Sequence, residues 1–293
     1  MTRPMIRFQS LSTYSRSFLL IAAISLLSST SFALEDSVVT LTVPRAPLVG
    51  PPPVTESFIV SESAPAPAPP ATAVLILLPG GNGDIQLTPL VPDGTLDINS
   101  SNFLVRVRWL LASQTFVVFT LNAASDFLQW ANGLDGYQGS SAHITDVLQV
   151  ISYARSTYPG LPVWLVGTSH GTAGAFVAAA NLPPAGPDDL VFTSPLNVNT
   201  KPPNPDSLLS ANLPAIVVPT LLLNNKAATC PAALYTGDPA VLAKLTGAPA
   251  RANQNLNGGF LALSDSCDAL SPHGYFGIES ATVTKIRAWI KAH

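Results

Sequence analysis

The chain has 293 residues, enough for one domain with a sizeable core. Its residues are 47% hydrophobic and only 11% charged, which excludes disorder over most of the length. The net charge is −3 with no basic run beyond the N-terminus, so a nucleic-acid partner has no footing. At the N-terminus, Arg3, Arg7 and Arg16 flank or precede an apolar run over residues 18–27, and Ser31, Phe32 and Ala33 follow it. That is the layout of a signal peptide with a small-residue cleavage site. Residues 1–33 therefore read as a signal peptide and 34–293 as the mature domain. The apolar run is short of the about 20 residues of a membrane span, so no stable span is expected after cleavage. The expected location is the periplasm or the medium. The mature chain would carry 11 basic and 17 acidic side chains. Its two cysteines, Cys230 and Cys267, lie 37 residues apart, and in an exported chain they suggest one disulfide.

Taken in order, residues 38–43 and 54–60 are β-branched, bounded by proline, and read as two N-terminal strands, antiparallel to each other. Proline-rich connections follow each of them and complete residues 34–72. Residues 73–78 form a buried strand that runs into Pro79-Gly-Gly-Asn-Gly-Asp84. A polar loop over 84–101 leads to a helix over 102–113, capped by Ser100 or Ser101. Its inward face holds Phe103, Leu104, Val107, Leu110 and Leu111, with Arg106 and Arg108 off that face. A strand at 116–121 and a loop over 122–140 precede a helix at 141–158, ended by Pro159-Gly160. That loop holds Asp126, Trp130 and Tyr137 and is expected to line a pocket. After residue 180 come strands at 190–193, 220–224 and 250–256, a proline-rich loop over 194–219, a short helix at 239–245 and a last helix at 279–292. Strands alternating with helices imply an α/β fold with a mostly parallel sheet and helices on both faces.

The stretch that organises the chain is Pro162-Val-Trp-Leu-Val-Gly-Thr-Ser169-His-Gly171. Four apolar residues make a strand buried on both faces. Gly167-Thr-Ser169-His-Gly171 then fits G-x-S-x-G, and small residues continue into a helix. In a nucleophile elbow the serine sits in a strained turn, and the glycines let strand and helix pack closely. The N–H of His170 would then point at an oxyanion, joined by the N–H of Gly81 or Asn82 from the glycine-rich turn. A serine nucleophile needs a base. His143 starts a helix before the elbow, His170 lies inside it, and His293 ends the chain. His273 lies in a loop after the last strand, where the base falls in the order serine, acid, histidine.

Three blocks together resemble a known family. They are Leu78-Pro-Gly-Gly-Asn-Gly83, Leu165-Val-Gly-Thr-Ser-His-Gly-Thr172 and Cys267-Asp-Ala-Leu-Ser-Pro-His-Gly-Tyr-Phe-Gly-Ile-Glu279. Over residues 38–293 the chain resembles the secreted bacterial α/β-hydrolases, the fold of serine esterases and lipases. The resemblance implies Ser169 as nucleophile, His273 as base and a disulfide between Cys230 and Cys267. It also implies an aspartate two residues before the first cysteine, and there this chain departs: the position is Ala228. Asp265 and Asp268 are the nearest replacements, Asp238 and Asp126 weaker ones. Asn224 or Asn225 is an alternative, as asparagine orients histidine in papain-like proteases. The acid stays unassigned.

The expected function is hydrolysis of a small-molecule carboxylic ester through a Ser169 acyl-enzyme. The alternative is a hydrolase-fold protein that binds a ligand with weak or no catalysis, motivated by Ala228. No cofactor is expected: four scattered histidines and two distant cysteines match no metal spacing, and no dinucleotide fingerprint is present.

Overall fold

The computed structural model describes residues 34–48, 50–63, 70–87, 98, 100–113, 115–127, 137–198 and 206–293. The expected signal peptide, Trp130 and most of the second proline-rich connection and of the 84–101 loop lie outside these residues. Among these residues eight strands make one sheet: β1 (Leu34–Val43), β2 (Val54–Ser63), β3 (Ala73–Leu78), β4 (Phe116–Leu121), β5 (Val163–Thr168), β6 (Asp189–Thr193), β7 (Thr220–Leu223) and β8 (Arg251–Asn253). Their spatial order is β1-β2-β4-β3-β5-β6-β7-β8. The pairs β1/β2 and β2/β4 are antiparallel and every other pair is parallel. The two N-terminal strands are antiparallel to each other, as the sequence implied, and extend one edge of the main sheet, each longer than expected. The outer strand β1 carries Glu35 and Asp36, charges that suit an edge.

Among the described residues five helices cover the sheet: α1 (Phe103–Ala112), α2 (Ser141–Thr157), α3 (Gly171–Asn181), α4 (Asp238–Lys244) and α5 (Glu279–Ile290). Side-chain alternation along each strand divides the core into two. On β5, Val163 and Leu165 face the layer of α2, α3 and α4, with Val147, Ile151, Ala175 and Val241. Trp164 and Val166 face the layer of α1 and α5, with Phe103, Leu104, Val283 and Ile286. Each large apolar side chain buried in this way contributes about 1.5–3 kcal/mol, which is why the central strands are apolar on both faces.

Two details of α1 differ from expectation. Its N-cap is Asn102, whose Oδ1 accepts from the Leu104 N–H at 3.0 Å, while Ser100 serves the Asn102 N–H instead. Leu110 is exposed rather than inward. Val105 is buried against Ile59 and Ile85, which rotates the covered face away from Leu110. The strand expected at 250–256 shortens to β8, beyond which Leu256 still bridges Asn225.

Candidate active site

The elbow forms as the sterics require. Ser169, between β5 and α3, has φ +52°, the left-handed region that a side chain other than glycine rarely adopts. A Cβ on Gly167 would stand 2.4 Å from the Gly171 carbonyl oxygen, and one on Gly171 only 2.0 Å from that of Leu78. Strand, turn and helix therefore touch through backbone alone. Gly80 brings the glycine-rich turn equally close, since its Cβ would lie 2.6 Å from the Thr168 carbonyl oxygen. The Ser169 N–H donates to Thr193, and the Ser169 carbonyl accepts from the N–H and hydroxyl of Thr172. The strained turn is thus held from β6 and α3.

Ser169, Gly81, Asn82 and His273 line one cleft, together with Thr168, residues 100–103 and residues 264–274 in part. The backbone N–H groups of Gly81, Asn82 and His170 donate to no acceptor among the described residues. They are three free donors around the elbow. His170 is the N-cap of α3, and its Nε2 lies 3.8 Å from Asp206 Oδ2.

His273 is 4% exposed and sits in a short helical turn at 272–274. Three consecutive carbonyls of that turn are clamped from three different elements. Asn225 Nδ2 donates to Pro272 O at 2.9 Å. The Ser194 hydroxyl donates to His273 O at 2.7 Å. Arg106 Nη2 donates to Gly274 O at 2.8 Å and also pairs with Glu279. The next residue, Tyr275, has φ +56°, packs on Phe103 and donates its hydroxyl to Leu223 O. The Cys230–Cys267 disulfide ties the start of this loop to the segment after β7. Sequence reasoning missed Arg106, Ser194 and Tyr275. The one available signal was Arg106, one of two arginines off the apolar face of a mostly hydrophobic helix.

The ring of His273 is another matter. Neither Nδ1 nor Nε2 has a hydrogen-bond partner among the described residues. Burial pushes its pKa down to about 4, with the charge of His170 as the second cause. None of the expected acids meets it. Asp265 and Asp268 are exposed, although Asp268 reaches the cleft wall. Asp238 is fully buried but accepts from Asn197 and Asn224, and burial raises its pKa to about 7. Asp126 belongs to a distant cluster in which Arg45 bridges Asp126 and Asp146. Asn225 acts on the backbone of Pro272, not on the imidazole, and the Asn224 amide is spent on Ala233 and Asp238. Ala228 is buried, and a methyl group stands where the resemblance implies a carboxylate.

The other histidines are accounted for. His143 is buried between α2 and α3, and a Cβ on Gly174 would lie 2.4 Å from its Nε2. The His293 ring packs at a tilt against Trp289. The described parts of the 122–140 loop line a different cavity, with Tyr137 and His143, because Asn122 Oδ1 takes the Ile85 N–H and Arg45 holds Asp126. Among the described residues no group of three or more His, Cys, Asp or Glu could hold a metal ion, and no helix is long and apolar enough to cross a membrane.

A family model described as Hydrolase_4, serine aminopeptidase S33, matches residues 125–272, just over half of the chain. The chain belongs to this family. No curated protein matches it. Solved structures share the fold of this hydrolase at low identity. An esterase from Pyrococcus furiosus is 12% identical with TM-score 0.58, covering 89% of this chain and 91% of its own. A cold-adapted esterase from an Arctic intertidal metagenomic library is 13% identical with TM-score 0.57, covering 87% and 94%. An α/β serine hydrolase without lid from Xanthomonas campestris is 15% identical with TM-score 0.56, covering 87% and 95%. Architecture and neighbours agree on the α/β-hydrolase fold.

Proposed function

We propose that this α/β-hydrolase is exported and cleaves carboxylic esters through a covalent Ser169 acyl-enzyme. The observation that carries the reading is the convergence in one cleft of a strained serine and a neutral, clamped histidine, flanked by three N–H donors that meet no acceptor among the described residues. Ser169 Oγ attacks the ester carbonyl while His273 Nε2 takes the hydroxyl proton. The carbonyl oxygen, now negative, is held by the N–H of His170 and that of Gly81 or Asn82. His273 then returns the proton to the leaving alkoxide. Water repeats the sequence to release the acid. With a pKa near 4, His273 is already the free base at neutral pH. Export rests on the N-terminal signal pattern and is consistent with the disulfide.

A second reading has its own support. Among the described residues Nδ1 has no partner, so none of them gives the imidazolium that forms in the transition state a counter-charge. Loss of the acid in a serine protease costs about 10⁴ in turnover, so a binding protein with residual catalysis fits the same geometry. Hydrolysis of a short soluble ester by wild type and by Ser169→Ala separates them. The enzyme reading expects turnover that Ser169→Ala abolishes; equal turnover in both would overturn it.

A further inference from the structure

The strongest feature outside the catalytic groups is an exposed apolar loop on the rim of the cleft. Phe260, Leu261 and Leu263 are 64%, 90% and 72% exposed. They belong to Gly258-Gly-Phe-Leu-Ala-Leu-Ser264, a stretch with no charge. Three large apolar side chains side by side in water mark an interaction surface rather than ordinary scatter.

The loop is held in place. Phe260 N–H donates to Phe276 O at 2.9 Å, and Leu263 N–H donates to Leu270 O at 2.8 Å. The ring of Phe260 meets Phe276 edge-on and leaves no room for a Cβ on Gly277. Leu261 and Leu263 are thus presented outward on a fixed base. The same loop runs on into the wall of the cleft through Ser264, Cys267 and Asp268. Whatever covers the apolar tip lies beside the entrance to Ser169.

We propose that this loop docks the hydrolase on an uncharged lipid surface and that its substrates are water-insoluble, long-chain esters presented there. The inference rests on the esterase reading of Ser169. Charge favours a neutral surface: the tip has no lysine or arginine, and the exposed charges that follow it, Asp265 and Asp268, are acidic. Shape favours a fluid surface, because a leucine 90% exposed at a loop tip inserts into acyl chains without a preformed pocket.

The test compares the wild-type protein with Leu261→Asp/Leu263→Asp, and with Leu261→Ser/Leu263→Ser as the milder pair. Both positions are so exposed that the fold is expected to survive, which circular dichroism verifies. The probes are phosphatidylcholine vesicles carrying p-nitrophenyl palmitate, and p-nitrophenyl acetate in free solution. Wild type is expected to sediment with the vesicles. The aspartate pair is expected to lose sedimentation and at least about tenfold of palmitate turnover, with acetate turnover within twofold of wild type. No sedimentation of wild type, or equal palmitate-to-acetate ratios in both proteins, would overturn the proposal. So would a wild-type dimer that the aspartate pair converts to monomer, since a second copy would then be the occupant. Fluorophosphonate labelling of Ser169, read in parallel, reports the catalytic reading separately from vesicle binding.

Discussion

The two halves of the candidate site are built in opposite ways. The nucleophile half is local: one strand, one turn and one helix, with the contacts of Gly80, Gly167 and Gly171 so close that no Cβ fits. The histidine half is assembled from afar. Its loop is clamped by Asn225, Ser194 and Arg106, tied by a disulfide and braced by Tyr275 under Phe103. The clamps act on the backbone and none of them touches the ring. The difference teaches that a histidine can be placed by backbone hydrogen bonds with no charged partner on its ring among the described residues.

The largest effect expected from breaking this arrangement is His273→Ala, which should lower ester turnover at least about 10³-fold while thermal unfolding stays unchanged. In wild type, the pKa near 4 sets the acid limb. The base must be neutral to act, so kcat/KM should hold as pH falls from 7 to 5 and drop as it passes through about 4. Next comes the tie: Cys230→Ala/Cys267→Ala opens a bridge spanning 37 residues, with an expected loss of about 4 kcal/mol read by denaturant titration. On the nucleophile side, Gly171→Ala pushes a methyl into the Leu78 carbonyl, a backbone atom that cannot swing aside. The expected cost is about 3 kcal/mol in unfolding free energy, with activity falling as the glycine-rich turn moves off the elbow. The smallest effect sharpens the comparison. Ala228→Asp would put a carboxylate where the ring has none; kcat is expected to rise about tenfold and the acid limb to move upward from pH 4. An unchanged profile would mean that this position no longer addresses His273.

The sequence made the nucleophile half legible because its causes are short-range. Gly167, Ser169 and Gly171 announce the turn, and the apolar run before them announces a central strand. The same holds for the order of strands and helices, and for Cys230 with Cys267 as the two cysteines of the chain. The histidine half was legible only in its endpoint, His273. Arg106, Ser194 and Tyr275 are separated from it by 167, 79 and 2 residues respectively, and each acts on a carbonyl or through packing that no local pattern reveals. The replacement acids drawn from sequence proximity fail for a physical reason. Asp265 and Asp268 stay solvated, and Asp238 is already occupied by Asn197. Leu110 misled because burial of Val105 turns the helix face, a tertiary effect.

The central claim is that Ser169 is an activated nucleophile although no acid meets its histidine among the described residues. The most direct measurement is labelling of the purified protein with a fluorophosphonate probe, with folded Ser169→Ala as control. The account predicts covalent labelling of wild type, one probe per chain, lost in Ser169→Ala. No labelling of folded wild type, or labelling that survives in Ser169→Ala, would contradict it.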